Sequence, residues 1–293
     1  MRKTFVNCVE EIFNQGSDSV LILGDIGVFS FQQLKFEFPN RVLNIGILEQ
    51  SMIGVASGYS SEGIIPIVHT IAPFLVERAL EQIKIDFGYQ KLSGNLVSVG
   101  ASIDYSKLGA THHCPSDVSI LSNVPGTEIF IPGHKDEFKN HFLSNWNSGS
   151  LNYFRLSEIQ NKKPNDLKLG EIIPIKHGSL GLVIAVGPFL EEAIQAVGDL
   201  DIEIHYANSI SSQNIMKINS SFPGQKVMIY EPYYSGPLLQ KVISQINEAK
   251  CEILQVGIPN IYIHEYGTYQ EILNFLRVDS KSLRSIAQDF FTL

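Results

Sequence analysis

The chain has 293 residues, 44% of them hydrophobic and 18% charged, with a formal net charge of -8 and an isoelectric point near 5.5. That length fits one large domain or two of ordinary size, and the acidic balance excludes nucleic acid or an anionic membrane as the main partner. Three scattered cysteines, Cys8, Cys114 and Cys251, form neither a disulfide framework nor a zinc-finger spacing, which points to a reducing cytoplasm; acids at Glu10 and Glu11 come too early for a signal peptide, and no apolar run approaches the ~18 residues of a membrane span.

In chain order, short apolar runs predict buried strands at Val20 to Leu23, Val42 to Ile47, Ile64 to His69, Leu96 to Gly100, Ile129 to Pro132 and Tyr153 to Leu156. Between them, Leu75, Ala79, Ile83 and Phe87 repeat at i+4 and predict one amphipathic helix over Phe74 to Tyr89, with Pro73 suited to its first turn. Asp136 to Trp146 reads as a second helix. The polar stretch Ser157 to Gly170 reads as a linker. Strands follow at Leu180 to Gly187, Ile202 to Tyr206, Val227 to Tyr230 and Ile253 to Val256. Helices are expected at Phe189 to Leu200, Pro237 to Ala249, Thr268 to Leu276 and Ser280 to Phe291. Such alternation implies an α/β protein of two domains, 1–160 and 168–293, each a mostly parallel sheet with helices on both faces.

The signatures of a phosphate loop, a dinucleotide fold and a nucleophile elbow are absent. Three other constellations stand out. Asn44 to Gly58 runs from a strand through a turn into a small-residue helix whose one acid, Glu49, sits in the first turn. The helix dipole alone favours a carboxylate there; a functional role would be to hold a proton against a ring nitrogen in a dry site. Phe74 opens the next helix, an ordinary place for a core aromatic. Gly109 to Asp117 carries His112, His113 and Cys114 in a loop. Three adjacent residues cannot easily face one ion, so no metal site is assigned. The loop is read instead as facing substrate, with Ser116 as a possible cap for the next helix and Asp117 in its first turn.

Together, Gly24-Asp-Ile-Gly27, Gly46-Ile-Leu-Glu-Gln-Ser-Met52, Ala72-Pro-Phe-Leu75 with Arg78-Ala79 and Glu81-Gln82, and Gly109-Ala-Thr-His112 resemble the pyrimidine-binding half of transketolase. The resemblance is to the C-terminal subunit of the split transketolases, with deoxyxylulose-phosphate synthase and the β-subunits of 2-oxoacid dehydrogenase E1 components as relatives. It extends through Ile131-Pro132, Tyr153-Phe-Arg-Leu156 and, more weakly, the second domain to Gly267-Thr-Tyr-Gln-Glu-Ile-Leu273.

The resemblance implies a thiamine diphosphate enzyme transferring a two-carbon ketol unit between sugars. In it, Glu49 would hydrogen-bond N1′ of the aminopyrimidine and favour its 4′-imino form, and Phe74 would stack on the pyrimidine. Asp25 would face the cofactor or a dimer partner. His112 would contact the substrate oxygen, with His113 and Arg155 as further substrate-binding candidates. The family's Gly-Asp-Gly mark for diphosphate and Mg2+ is missing. A separate N-terminal subunit is therefore expected to hold them, in an α2β2 assembly. An E1 β-subunit and a non-catalytic scaffold subunit are the alternatives. Two departures stand out: the family's acids before the Thr-His pair are replaced by Tyr105-Ser-Lys-Leu-Gly-Ala110, and Glu158 occupies the place where a phosphate-binding arginine is expected. A carboxylate repels a terminal phosphate, so a nucleotide-linked or otherwise modified sugar is the expected substrate.

Overall fold

The computed structural model describes residues 1–212, 217–218, 226–247 and 251–292. The first half contains α1 (Arg2–Asn14), β1 (Ser19–Leu23), α2 (Gln32–Glu37), β2 (Val42–Asn44), α3 (Glu49–Ser61) and β3 (Ile65–Ile71). A helical stretch follows, made of π-helical Pro73–Glu77, the single turn α4 (Leu80–Gln82) and π-helical Ile83–Tyr89. Then come β4 (Gly94–Val99), α5 (Asp117–Leu121), β5 (Thr127–Phe130), α6 (Lys135–Asn145) and β6 (Leu151–Arg155).

The second half contains β7 (Glu171–Lys176), β8 (Leu182–Val186), α7 (Leu190–Val197), β9 (Glu203–Ala207), β10 (Ser209–Ile210), β11 (Lys217–Ile218), β12 (Lys226–Tyr234), α8 (Pro237–Asn247), β13 (Glu252–Ile258), α9 (Tyr269–Leu276) and α10 (Ser280–Phe291). Residues 248 and 249 of the expected 237–249 helix lie outside the described residues.

The strands form two sheets, ordered β10-β5-β6-β4-β3-β1-β2 and β11-β7-β9-β8-β12-β13. All pairings within β1 to β6 are parallel. β1, β3, β4, β5 and β6 are buried at nearly every residue, as a helix-covered parallel sheet requires, whereas β2 at the edge is exposed at Asn44. The expected α/β architecture is what the structure shows. Three of the described strands run against the parallel direction: β7 pairs antiparallel with β9 and carries β11 parallel to itself, and β10 pairs antiparallel with β5. The β10–β5 contact carries chain from beyond residue 200 onto the edge of the first sheet. Periodicity is blind to that exchange, because a two-residue strand has no period.

One sequence expectation is corrected. The stretch Phe74 to Tyr89 is not one regular helix. Pro73 lacks an N–H, the Arg78 N–H reaches back to the Pro73 carbonyl at 3.1 Å, and Ala79 breaks helical geometry at φ -107°, ψ 17°. The 157–170 stretch joins β6 to β7 and is held by hydrogen bonds. Asn161, only 3% exposed, donates its side-chain amide to the Gly187 carbonyl at 3.1 Å and its backbone N–H to Gly133 at 2.7 Å. The Asn165 N–H donates to Glu137 at 2.9 Å. Satisfied backbone groups hold the segment in place although its composition is polar.

Candidate active site

The C-terminal ends of parallel strands are where open α/β sheets collect ligands, and Glu49, Phe74 and His112 come together at that edge of the first sheet. Gly46, at φ 83°, makes the turn after β2, and the Leu48 N–H closes it onto the Gly46 carbonyl at 2.8 Å. Helix α3 then begins at Glu49. Ile47 and Leu48 are left 64% and 57% exposed, whereas Glu49 is 1% exposed. Its Oε2 accepts from Arg78 Nη1 at 2.7 Å. Its Oε1 is buried and has no hydrogen-bond partner among the described residues. An orphaned buried acceptor costs about 1–3 kcal/mol, so this oxygen has room for a donor that the described residues do not supply.

Arg78 also lies over the Phe74 ring, 4.2 Å from its centroid. Phe74 meets the His112 ring edge-on at 5.4 Å, and His112 meets Tyr105 at 6.1 Å. His112 Nδ1 shares a hydrogen bond with the Thr111 hydroxyl at 2.9 Å. Glu49, Arg78, Phe74, His112 and Tyr105 thus form one contiguous row from three separate stretches of sequence. The π-helical turn at 73–77 places Phe74 and Arg78 together, and π-turns recur at functional sites.

Asp25 sits just past β1 in the left-handed region, at φ 65°. It is exposed and exchanges two hydrogen bonds with Asn44, each 3.0 Å. A non-glycine residue there carries backbone strain of order 1–3 kcal/mol. The reciprocal clamp to Asn44 holds the strained residue at the end of the sheet.

His113 turns away from its neighbour. It lines a cavity of about 440 Å³ with Glu77, Ser116, Tyr234 and Tyr262, and burial lowers its pKa. Cys114 is buried and its backbone pairs with Ser102, so the three adjacent side chains do not converge on one point. Among the described residues, no group of three or more His, Cys, Asp or Glu side chains is arranged to hold a metal ion. Ser116 does not cap α5. Its own backbone is helical and its hydroxyl donates to Glu77 Oε1.

Arg155, a substrate-binding candidate, lies in the protein interior. It is 2% exposed, and its Nε donates to Asp117 Oδ2 at 2.7 Å. Its Nη2 donates to the Pro232 carbonyl at 3.2 Å. The Tyr153 hydroxyl joins on the same Asp117 oxygen at 2.8 Å. These buried groups occupy the guanidinium within the protein interior.

Sequence reasoning assigned no role to Arg78, although the residue lies inside a matched motif. An exposed arginine on a helix carries no signal of the carboxylate it meets 29 positions away.

The family described as transketolase, pyrimidine-binding domain, matches residues 1–161. A protein of the fasciation locus of Rhodococcoides fascians, described as an uncharacterized 33.6 kDa protein, is 34% identical over 93% of this chain and 88% of its own length. One of the subunits of the apulose-4-phosphate transketolase of Phocaeicola vulgatus is 24% identical, with 99% of this chain and 96% of that protein covered. A solved structure titled split gene transketolase, inactive beta4 tetramer, superposes with a TM-score of 0.81 at 20% identity, covering 100% of this chain and 98% of the other. At that identity the likeness is one of fold.

Proposed function

The chain belongs to the family of the transketolase pyrimidine-binding domain, and from that premise we propose that it is one subunit of a two-subunit, thiamine diphosphate-dependent transferase moving a two-carbon ketol unit between sugars. The observation that carries this reading is the orphaned Oε1 of Glu49, buried beside exposed Ile47 and Leu48.

Thiamine diphosphate, when bound, supplies the electron sink for the carbanion. The residues of this chain fit it. Glu49 offers an acceptor for a ring N–H, and Arg78 holds that carboxylate in one orientation. Phe74, partly exposed beside it, offers an aromatic face for the pyrimidine. His112, next in the row, donates a hydrogen bond to the oxygen on which negative charge grows. Asp25, held at the same strand ends by Asn44, faces the cofactor or the partner.

Diphosphate and Mg2+ require a cradle of oxygen ligands. We assign these to a separate N-terminal transketolase subunit in an α2β2 assembly. The apolar rim at Ile47 and Leu48 supports closure of the site by another polypeptide. The relative named for apulose 4-phosphate supports a modified sugar as substrate. Co-expression with the N-terminal subunit, followed by a ketol-transfer assay with and without thiamine diphosphate, tests the reading. Transfer by this chain alone, or by the pair without cofactor, overturns it.

A further inference from the structure

Arg78 makes two contacts in the site, and they differ in what they leave for a ligand. Its Nη1 donates to Glu49 Oε2 at 2.7 Å, and its guanidinium lies over Phe74, 4.2 Å from the ring centroid. A guanidinium is flat and carries N–H donors along its edge. One group thus makes the two kinds of contact that an aminopyrimidine would need here, face to Phe74 and N–H to Glu49. On Glu49 the arginine uses Oε2 alone, and Oε1 has no partner among the described residues. A ring N–H can therefore be accepted while the ion pair stays.

Phe74 offers no such second place. Paired aromatic rings sit about 4.5–7 Å apart, centroid to centroid, and the guanidinium already fills that gap on the face it covers. Elsewhere the ring meets His112 at 5.4 Å and packs against the apolar cluster that includes Ile71 and Val99. The backbone of Arg78 is fixed: its N–H reaches the Pro73 carbonyl at 3.1 Å, and its carbonyl accepts from the Gln50 side-chain amide at 3.3 Å. The Arg78 side chain is 43% exposed, so it can turn off the ring toward solvent without moving the helical turn that carries it.

We infer that Arg78 is a placeholder for the cofactor's pyrimidine: its guanidinium covers the stacking face of Phe74 and has to leave that face, keeping its hold on Glu49, for the pyrimidine to be received. The inference rests on the transferase reading above. It makes Arg78 a competitor for one contact of the cofactor and a support for the other.

Calorimetric titration of thiamine diphosphate into the reconstituted, Mg2+-loaded pair tests it. Arg78→Lys keeps a cation within reach of Glu49 but has no planar fork to lie on the ring. It is expected to tighten cofactor binding by about two- to fivefold, the worth of a cation over an exposed ring. In a Phe74→Ala background the same substitution is expected to give no gain, because no face is left to uncover. Unchanged or weaker binding by Arg78→Lys overturns the inference, as does an equal gain with and without Phe74. A crystal structure of the loaded wild-type pair is the second readout. The guanidinium is expected on Glu49 and off Phe74; a guanidinium still over the ring beside bound cofactor overturns the inference. All of these overturning results leave the transferase reading standing. Failure of the wild-type pair to bind thiamine diphosphate removes that reading and this inference with it.

Discussion

Arg78 grips one oxygen of Glu49 at 2.7 Å and leaves the other buried without a partner among the described residues. The arginine is 43% exposed and the glutamate 1%, so the pair spans the boundary between solvent and interior. Its arrangement is asymmetric: one carboxylate oxygen is held by Arg78, and the other has the free acceptor that the proposed cofactor contact requires. Orienting a reactive carboxylate through its second oxygen is how a protein fixes one acceptor direction without consuming it.

Glu49→Gln is therefore expected to lower kcat of the reconstituted enzyme by about 10²–10⁴-fold, the range of a lost acid–base group. Size-exclusion chromatography should show the assembly intact, because the substitution is isosteric. Glu49→Ala should be at least as severe. A rate within a few-fold of wild type would remove Glu49 from the chemistry.

Phe74 and His112 touch, yet the proposed roles separate them. Phe74→Ala is expected to weaken cofactor binding by up to about tenfold, from loss of an aromatic contact of ~0.5–1.5 kcal/mol. Titration of thiamine diphosphate into the Mg2+-loaded pair reads this directly. His112→Ala is expected to leave that affinity alone and to cut kcat by about 10²-fold, as removal of one oxyanion donor does. Equal effects of both variants on cofactor affinity would argue against the division.

The Arg155–Asp117 pair is completely enclosed, at 1% and 0% side-chain exposure. Arg155→Met leaves a buried carboxylate uncompensated and is expected to cost about 3–5 kcal/mol. The double variant Arg155→Met, Asp117→Asn should recover part of that loss. Urea unfolding checks the order, and the KM for sugar of whatever variant folds should match wild type. A raised KM with unchanged stability would return Arg155 to the substrate site.

Burial pushes the carboxyls of Asp104 and Glu231 up to about 7 each. The folded protein thus keeps protons that the unfolded chain releases near pH 4. The stability these groups contribute is complete below about pH 4 and is lost as pH rises through 7. Each adds a slope of about -1.4 kcal/mol per pH unit within that window. Asp104→Asn is expected to flatten the pH dependence of the urea midpoint between pH 4.5 and 7 by one such increment. An unchanged slope would show that Asp104 ionises normally in the folded protein.

The linear chain determined the elements whose residues interact locally or repeat regularly. The apolar runs of β1, β3, β4, β6 and β8 are legible because a strand buried on both faces must be apolar throughout. Glu49 is legible because it is the one acid in an otherwise neutral segment. Tertiary structure alone decided what each charge meets. Arg155 was open to a substrate role until packing enclosed it with Asp117, 38 positions away. Glu158 looked like an isolated repulsive charge until α1 brought Arg2 to it across 156 positions. Periodicity records which face of an element is apolar, and burial follows from that face. A charged side chain has no such period, and its partner is fixed only when distant segments meet, so its role became visible in the fold and not before.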